Sequence, residues 1–209
     1  MKKILLLLAT TISINATGQQ HVVTYYDAFN IHRREVYDLD KNAQMNGNYT
    51  AYFEDGTIAE TGSYVHGALN GKYVKYVNQD GVRGISNIDC YKLGELDGLQ
   101  QEFMYGMSLP LYKKPFTEKF YKDKHLVWEK EYDCPNKDES KRYLWKWKKY
   151  KDDEQIWERG YLPDGRVWYS GNWIHTPLRN TPDSGWVGGE IYFTDSLEGG
   201  KRVTPPSRD

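Results

Sequence analysis

Basic residues are not in excess in this 209-residue chain: 28 Lys and Arg stand against 29 Asp and Glu, for a formal net charge of −1. That balance excludes the electrostatic footprint of a nucleic-acid binder. Cysteine is scarce, with only Cys90 and Cys134, which excludes a disulfide-dense scaffold. In an exported chain the two are a candidate disulfide; two free thiols are the alternative. The histidines His21, His32, His66, His125 and His175 are scattered, with no His-Glu-x-x-His spacing and no Cys-x-x-Cys, so no metal site is expected. There is no Gly-x-Ser-x-Gly elbow, and Gly199-Gly200-Lys201 lacks the rest of a phosphate loop. The carboxylates are dispersed, and Asp55, Asp80 and Asp164 each precede a glycine, where turn geometry explains them. No catalytic residues and no cofactor are expected.

The one long apolar run opens the chain. Lys2 and Lys3 precede Leu5–Leu8, the stretch continues to Ile14, and Ala16 and Gly18 lead to a polar start at Gln19. Residues 1–18 read as a secretory signal peptide cleaved after Gly18, too short to span a membrane. The expected location is outside the cytoplasm: periplasm, cell surface or medium.

What is abundant is aromatic: 15% of residues, with 18 Tyr and 7 Trp. These rings recur with glycine in a repeated phrase. Asn46-Gly47, an alternating aromatic strand, Asp55-Gly56, a second strand with Gly62-Ser63-Tyr64, then Asn70-Gly71 complete one round. The next runs through Tyr73, Tyr76, Asp80-Gly81, Tyr91 and Asp97-Gly98. Steps of about 24 and about 27 residues signal a repeat architecture. Tyr49, Ala51 and Phe53 alternate with Asn48, Thr50 and Tyr52, which is strand period. Each unit reads as one antiparallel hairpin, with Gly47, Gly56, Gly71, Gly81, Gly98 and Gly165 as turn glycines beside Asp55 and Asp164. Gly62, inside a strand, predicts a bulge or a side chain in close approach. A lone hairpin is marginal, so the units must stack.

Further units are expected at Tyr26–Tyr37, without a turn glycine, and at Phe120–Tyr132, with Lys124 in the glycine slot. Tyr150–Tyr161 carries Asp152-Asp153, and Asp164–Trp173 matches Asp55–Tyr64. The pattern resembles the MORN-repeat variant found in tandem in exported bacterial proteins, including YwqK-type antitoxin-like chains. The resemblance is specific over 46–98, fair over 20–45 and 144–175, and poor over 99–143. It implies an all-β, elongated, twisted single-layer array of tandem β-hairpins, and it carries no catalytic set. The expected organisation is a leader at 1–18, regular repeats at 19–98, irregular units at 99–143, Trp-rich repeats at 144–203 and a disordered tail at 204–209.

All seven tryptophans lie in the second half. Tyr143, Trp145 and Trp147 share one face of a strand, and Trp157 follows in the next. They are either stacking core between repeats or an exposed platform, and as a platform they are the candidate binding residues. Lys146, Lys148, Lys149 and Lys151 read as a solvated face. The expected function is non-enzymatic: an exported protein-interaction or envelope-scaffold module. A carbohydrate-binding protein using the Trp-rich half is one alternative, and an antitoxin- or immunity-like protein covering a toxin is another.

Overall fold

In the computed structural model, residues 10–14, 19–79, 82–103, 113–173 and 191–193 are described. The chain divides into two compact units, residues 1–124 and 125–209. Unit 1 contains β1 (Thr10–Ile14), β2 (Gln20–Tyr25), β3 (Arg33–Leu39), β4 (Met45–Tyr52), β5 (Ile58–Val65), β6 (Ala68–Leu69), β7 (Gly71–Gln79), β8 (Val82–Lys92), β9 (Glu95–Leu96), β10 (Gly98–Glu102) and β11 (Thr117–Lys122). Unit 2 contains β12 (His125–Asp133), β13 (Tyr143–Lys151), β14 (Glu154–Tyr161), β15 (Val167–Trp173) and β16 (Ile191–Phe193), with short 3-10 turns at Pro135–Lys137 and Glu139–Lys141. The chain is all-β, a tandem array of antiparallel hairpins. Within each unit the strands pair in chain order, except that the two-residue β6 and β9 lie off the path, each on the strand before it, so that β7 pairs with β5 and β10 with β8. No α-helix occurs among the described residues, and no helix there is long and apolar enough to cross a membrane. Thr10–Ile14, inside the stretch read as a leader, forms β1 and pairs with β2.

Two turn designs build the hairpins. In the first, Phe53 and Thr57 pair across a three-residue loop, with Gly56 N–H donating to the Phe53 carbonyl at 2.9 Å. Gly56 takes φ 81°, the left-handed residue that closes a type I turn with a bulge. Leu162 and Arg166 repeat this around Gly165, φ 83°. Asp40 and Gln44 repeat it again with Ala43, φ 58°, in the glycine slot. The second design is a two-residue loop with both residues at positive φ: His66-Gly67 (48° and 80°), Leu93-Gly94 (50° and 89°) and Asp152-Asp153 (52° and 63°).

These turns correct part of the expected glycine assignment. Gly47 lies within β4, and Gly71 and Gly98 begin β7 and β10. All three take positive φ, but as kinks inside or at the head of strands. The reversals before Gly71 and Gly98 are made upstream, at His66-Gly67 and Leu93-Gly94. Gly81 lies outside the described residues, as do Asp80 and the 204–209 tail. Between β2 and β3 no turn glycine is needed, because the Asp27 carboxylate accepts from the backbone N–H groups of Phe29, Ile31 and His32.

Burial is thin, as a single layer requires: Val22, Tyr73, Val74, Phe103 and Cys134 are the buried hydrophobic residues described. Area is gained by rings lying across strands instead. Tyr73 covers Gly62, leaving no room for a β-carbon there, and its hydroxyl donates to Glu60. Tyr169 covers Gly160 in the same way and donates to Glu158. Tyr49 donates to Glu35 at 3.3 Å and Tyr150 to Glu129 at 2.9 Å. Burial, reinforced by the adjoining carboxylates, raises the pKa of all four phenols. Each therefore stays a protonated donor at neutral pH.

The candidate disulfide is not formed: Cys90 and Cys134 are free. Cys90 lies on β8 in unit 1, while Cys134 follows β12 in unit 2 and is buried where it stands. Burial raises both thiols above their ordinary pKa, the environment of inert structural cysteines.

Candidate functional site

The sheet of unit 2 has two chemically different faces. Opposed residues in an antiparallel pair share a face, so the registers Glu129↔Lys148↔Glu158 and Glu131↔Lys146↔Gly160 define the first. There Lys148 Nζ lies 3.3 Å from Glu129 and bonds Glu131 as well. Lys146 reaches Glu158 at 3.9 Å. Burial alone would lower the Lys148 ammonium, but the hydrogen bond to Glu131 and the charge of Glu129 outweigh it and raise its pKa. The expected solvated lysine face is therefore corrected: Lys146 and Lys148 are half-buried among carboxylates, and only Lys149 and Lys151 are exposed. Three acids on neighbouring strands drew them in.

The opposite face is a checkerboard. One cross-strand row is Trp128, Lys149 and Trp157; the next is Lys130, Trp147 and Arg159. Each cation sits against indole rings. Lys130 Nζ is 5.0 Å from the Trp128 ring centre and 5.1 Å from that of Trp147. Lys149 Nζ is 5.2 Å from Trp147 and 5.1 Å from Trp157, and the Arg159 guanidinium is 5.0 Å from Trp157. Trp147 and Trp157 meet edge to face at 5.5 Å. Such contacts hold a cation without neutralising it, for on the order of 0.5 kcal/mol per cation at exposed sites. Lys130, Lys149 and Arg159 make no ion pair with any described residue. The Trp147 indole N–H is buried without an acceptor among the described residues.

The candidate residues thus divide into two groups. Trp147 and Trp157 belong to the checkerboard. Trp145 and Tyr143 belong to a separate cluster, their rings 6.5 Å apart. Trp145 is the extra residue where the β12–β13 register shifts, and Trp168 is the extra residue of the β14–β15 shift. The two indoles stack at 5.8 Å and 22°, so that cluster packs the bulges together. Sequence reasoning missed Trp128, Lys130 and Arg159. The signal was present: Trp128-Glu129-Lys130, Trp147-Lys148-Lys149 and Trp157-Glu158-Arg159 each place an indole and a cation two residues apart, on one face of successive strands.

Histidines pair with aspartates, once across strands and otherwise at loops. Four histidines pair through Nδ1 with aspartates: His21–Asp38 at 2.8 Å, His32–Asp27 at 3.1 Å, His66–Asp40 at 3.1 Å and His125–Asp153 at 2.8 Å. Asp40 also receives backbone N–H groups of Asn42 and Gln44, and Asp153 receives that of Leu126. The backbone bonds, with the histidine partners, lower both carboxyl pKa values. No group of three or more His, Cys, Asp or Glu side chains able to hold a metal ion occurs among the described residues. No protein-family model matches this chain, and no curated protein matches it either.

Proposed function

We propose that this chain is an exported, non-enzymatic binding module whose hairpins act as a scaffold for the checkerboard face of unit 2, and that the partner is a protein presenting an acidic segment. The observation that carries the reading is the set of three cations, Lys130, Lys149 and Arg159, interleaved with Trp128, Trp147 and Trp157 and making no ion pair among the described residues. A partner that supplies carboxylates gains charge complementarity and contact with large, already ordered rings. The paired Lys-Glu face behind it holds the strands in register without competing for the ligand. Export rests on Lys2, Lys3 and the short apolar run that follows, and the resemblance to exported MORN-repeat variants supports it.

A second reading, an acidic glycan, is favoured by one observation: indoles on adjacent strands also suit sugar rings. Titration calorimetry of the processed protein with a poly-glutamate peptide and with polygalacturonate separates the two. The acidic-protein reading expects saturable, salt-sensitive binding of the peptide, weakened at least tenfold in Lys130→Glu/Lys149→Glu with the fold intact. Polygalacturonate binding alone transfers the site to the glycan reading. Binding of neither probe removes the polyanion reading.

A further inference from the structure

The edge of unit 1 poses a separate question. β2 pairs with β3 on one side and with β1 on the other, in the register Thr10↔Thr24, Ile12↔Val22 and Ile14↔Gln20. With β1 in place, Val22 is 2% exposed and Thr24 is 8% exposed. If residues 1–18 are a cleaved leader, the processed protein lacks β1, and the outer backbone groups of β2 lose their ladder. Natural sheet edges avoid stray pairing with charged side chains, prolines or cover. Gln20-His21-Val22-Val23-Thr24-Tyr25 contains no proline, lysine, arginine or carboxylate. The β2–β3 register shift lies only at its far end, between Thr24 and Tyr25.

We propose that in the processed protein the β2 strand of a second copy takes the position of Thr10–Ile14, joining two molecules edge to edge in a two-fold dimer. This rests on the export reading. The occupant must be an extended, antiparallel strand, because that is what the slot accepts in the chain. A second β2 meets the requirement by symmetry, since an isologous contact needs only one self-complementary strand. The register follows from the faces. With Val22 opposite the partner's Val22, Gln20 meets the partner's Thr24 and His21 meets the partner's Val23. Residues opposed across the junction then belong to the same face of both sheets, and the β-branched centre is matched. A slip of one residue would set Val22 against the partner's Val23 and turn every side chain of one sheet to the wrong side.

The test uses the exported protein purified after processing, with its N-terminus fixed by intact mass. Light scattering should give twice the chain mass. Directly opposed residues in an antiparallel pair have Cα atoms about 4.5–5.5 Å apart, within disulfide reach. Val22→Cys should therefore form a covalent dimer under mild oxidation, while the parent, with only Cys90 and Cys134, should not. Val22→Lys sets two like charges on the axis and should give a monomer with unchanged circular dichroism. A processed protein that is monomeric, or dimeric without Val22→Cys cross-linking, overturns the self-pairing and leaves the export reading standing. A purified protein that retains residues 1–18 overturns both. The covalent arm decides the matter even where Val22→Lys fails to fold.

Discussion

The same stitch occurs in both units, and what lies behind it differs. In unit 1, Glu60, Gly62 and Tyr73 form it: a glycine opened for a ring whose hydroxyl bonds a carboxylate on the glycine's own strand. In unit 2, Glu158, Gly160 and Tyr169 repeat it. On the reverse face of unit 1, one cross-strand row runs Val36, Thr50, Thr61, Val74, Ile88. The corresponding face of unit 2 carries Lys130, Trp147, Arg159 and their neighbours. The two faces divide the labour. One face of each sheet carries the bonds that make a hairpin array; on the other, unit 2 alternates indoles with cations where this row of unit 1 holds β-branched side chains.

The stitch should be equivalent in the two units. Ala at Gly62 or Gly160 has no room beneath its ring, so each substitution should cost about 3 kcal/mol, at the upper end of overpacking. Urea melts will check this. The penalty at Gly62 should largely vanish in a Tyr73→Ala background, since the two sites share one contact. A small cost in one unit only would show that the two stitches are not equivalent.

Next in size is the contrast inside unit 2. Trp145→Ala should lower stability by about 2 kcal/mol, because the half-buried indole stacks on Trp168 and a large aromatic is lost. Lys130→Gln with Lys149→Gln should shift stability by less than about 1 kcal/mol while reducing binding of the acidic probe. If the lysine pair proves as destabilising as Trp145→Ala, the checkerboard is packing rather than a docking face.

Smaller effects come from the loops. A β-carbon at Gly56 or Gly165 meets nothing within 4 Å, so Val there should cost only the left-handed strain, about 1–2 kcal/mol. Asn should cost less. Thermal midpoints of the four variants will show whether the two units tolerate the same turn chemistry.

The smallest effect is in pH. Local hydrogen bonds hold the carboxyls of Asp40, Asp55, Asp153 and Asp164 below the ordinary aspartate range. A depressed folded-state pKa stabilises above the unfolded value, and that contribution is lost as pH falls through the folded one. The thermal midpoint should accordingly drop as pH is taken from about 5 to about 3, and less steeply in Asp40→Asn. A flat profile would show that these loops contribute nothing to cooperativity in either unit.

Much of the fold was legible, because strand alternation and Asp-Gly pairs report local geometry. Asp55-Gly56 and Asp164-Gly165 mark real reversals, and the close approach expected at Gly62 is the Tyr73 ring. The errors have one source. Glycine marks positive φ, and positive φ serves kinks as well as turns, so Gly47, Gly71 and Gly98 read as reversals that they do not make. Conversely, the reversal at Asp152-Asp153 uses no glycine at all. The site was only half legible: strand period put Trp147 on a common face with its neighbours, but the bulge that removes Trp145 to another cluster depends on the register of adjacent strands. The inward turn of Lys146 and Lys148 likewise depends on Glu129, Glu131 and Glu158, which only pairing brings together.

The chain-order pairing of strands within each unit has a kinetic consequence. A β protein usually folds slowly because distant segments must meet before any ladder forms. Here most strands pair with the strand just before them or across one two-residue strand, so most closures are short loops and each completed hairpin templates the next. Such a chain can assemble vectorially, hairpin by hairpin. Its refolding should be faster than that of sandwiches of equal length, and insensitive to which end is released first.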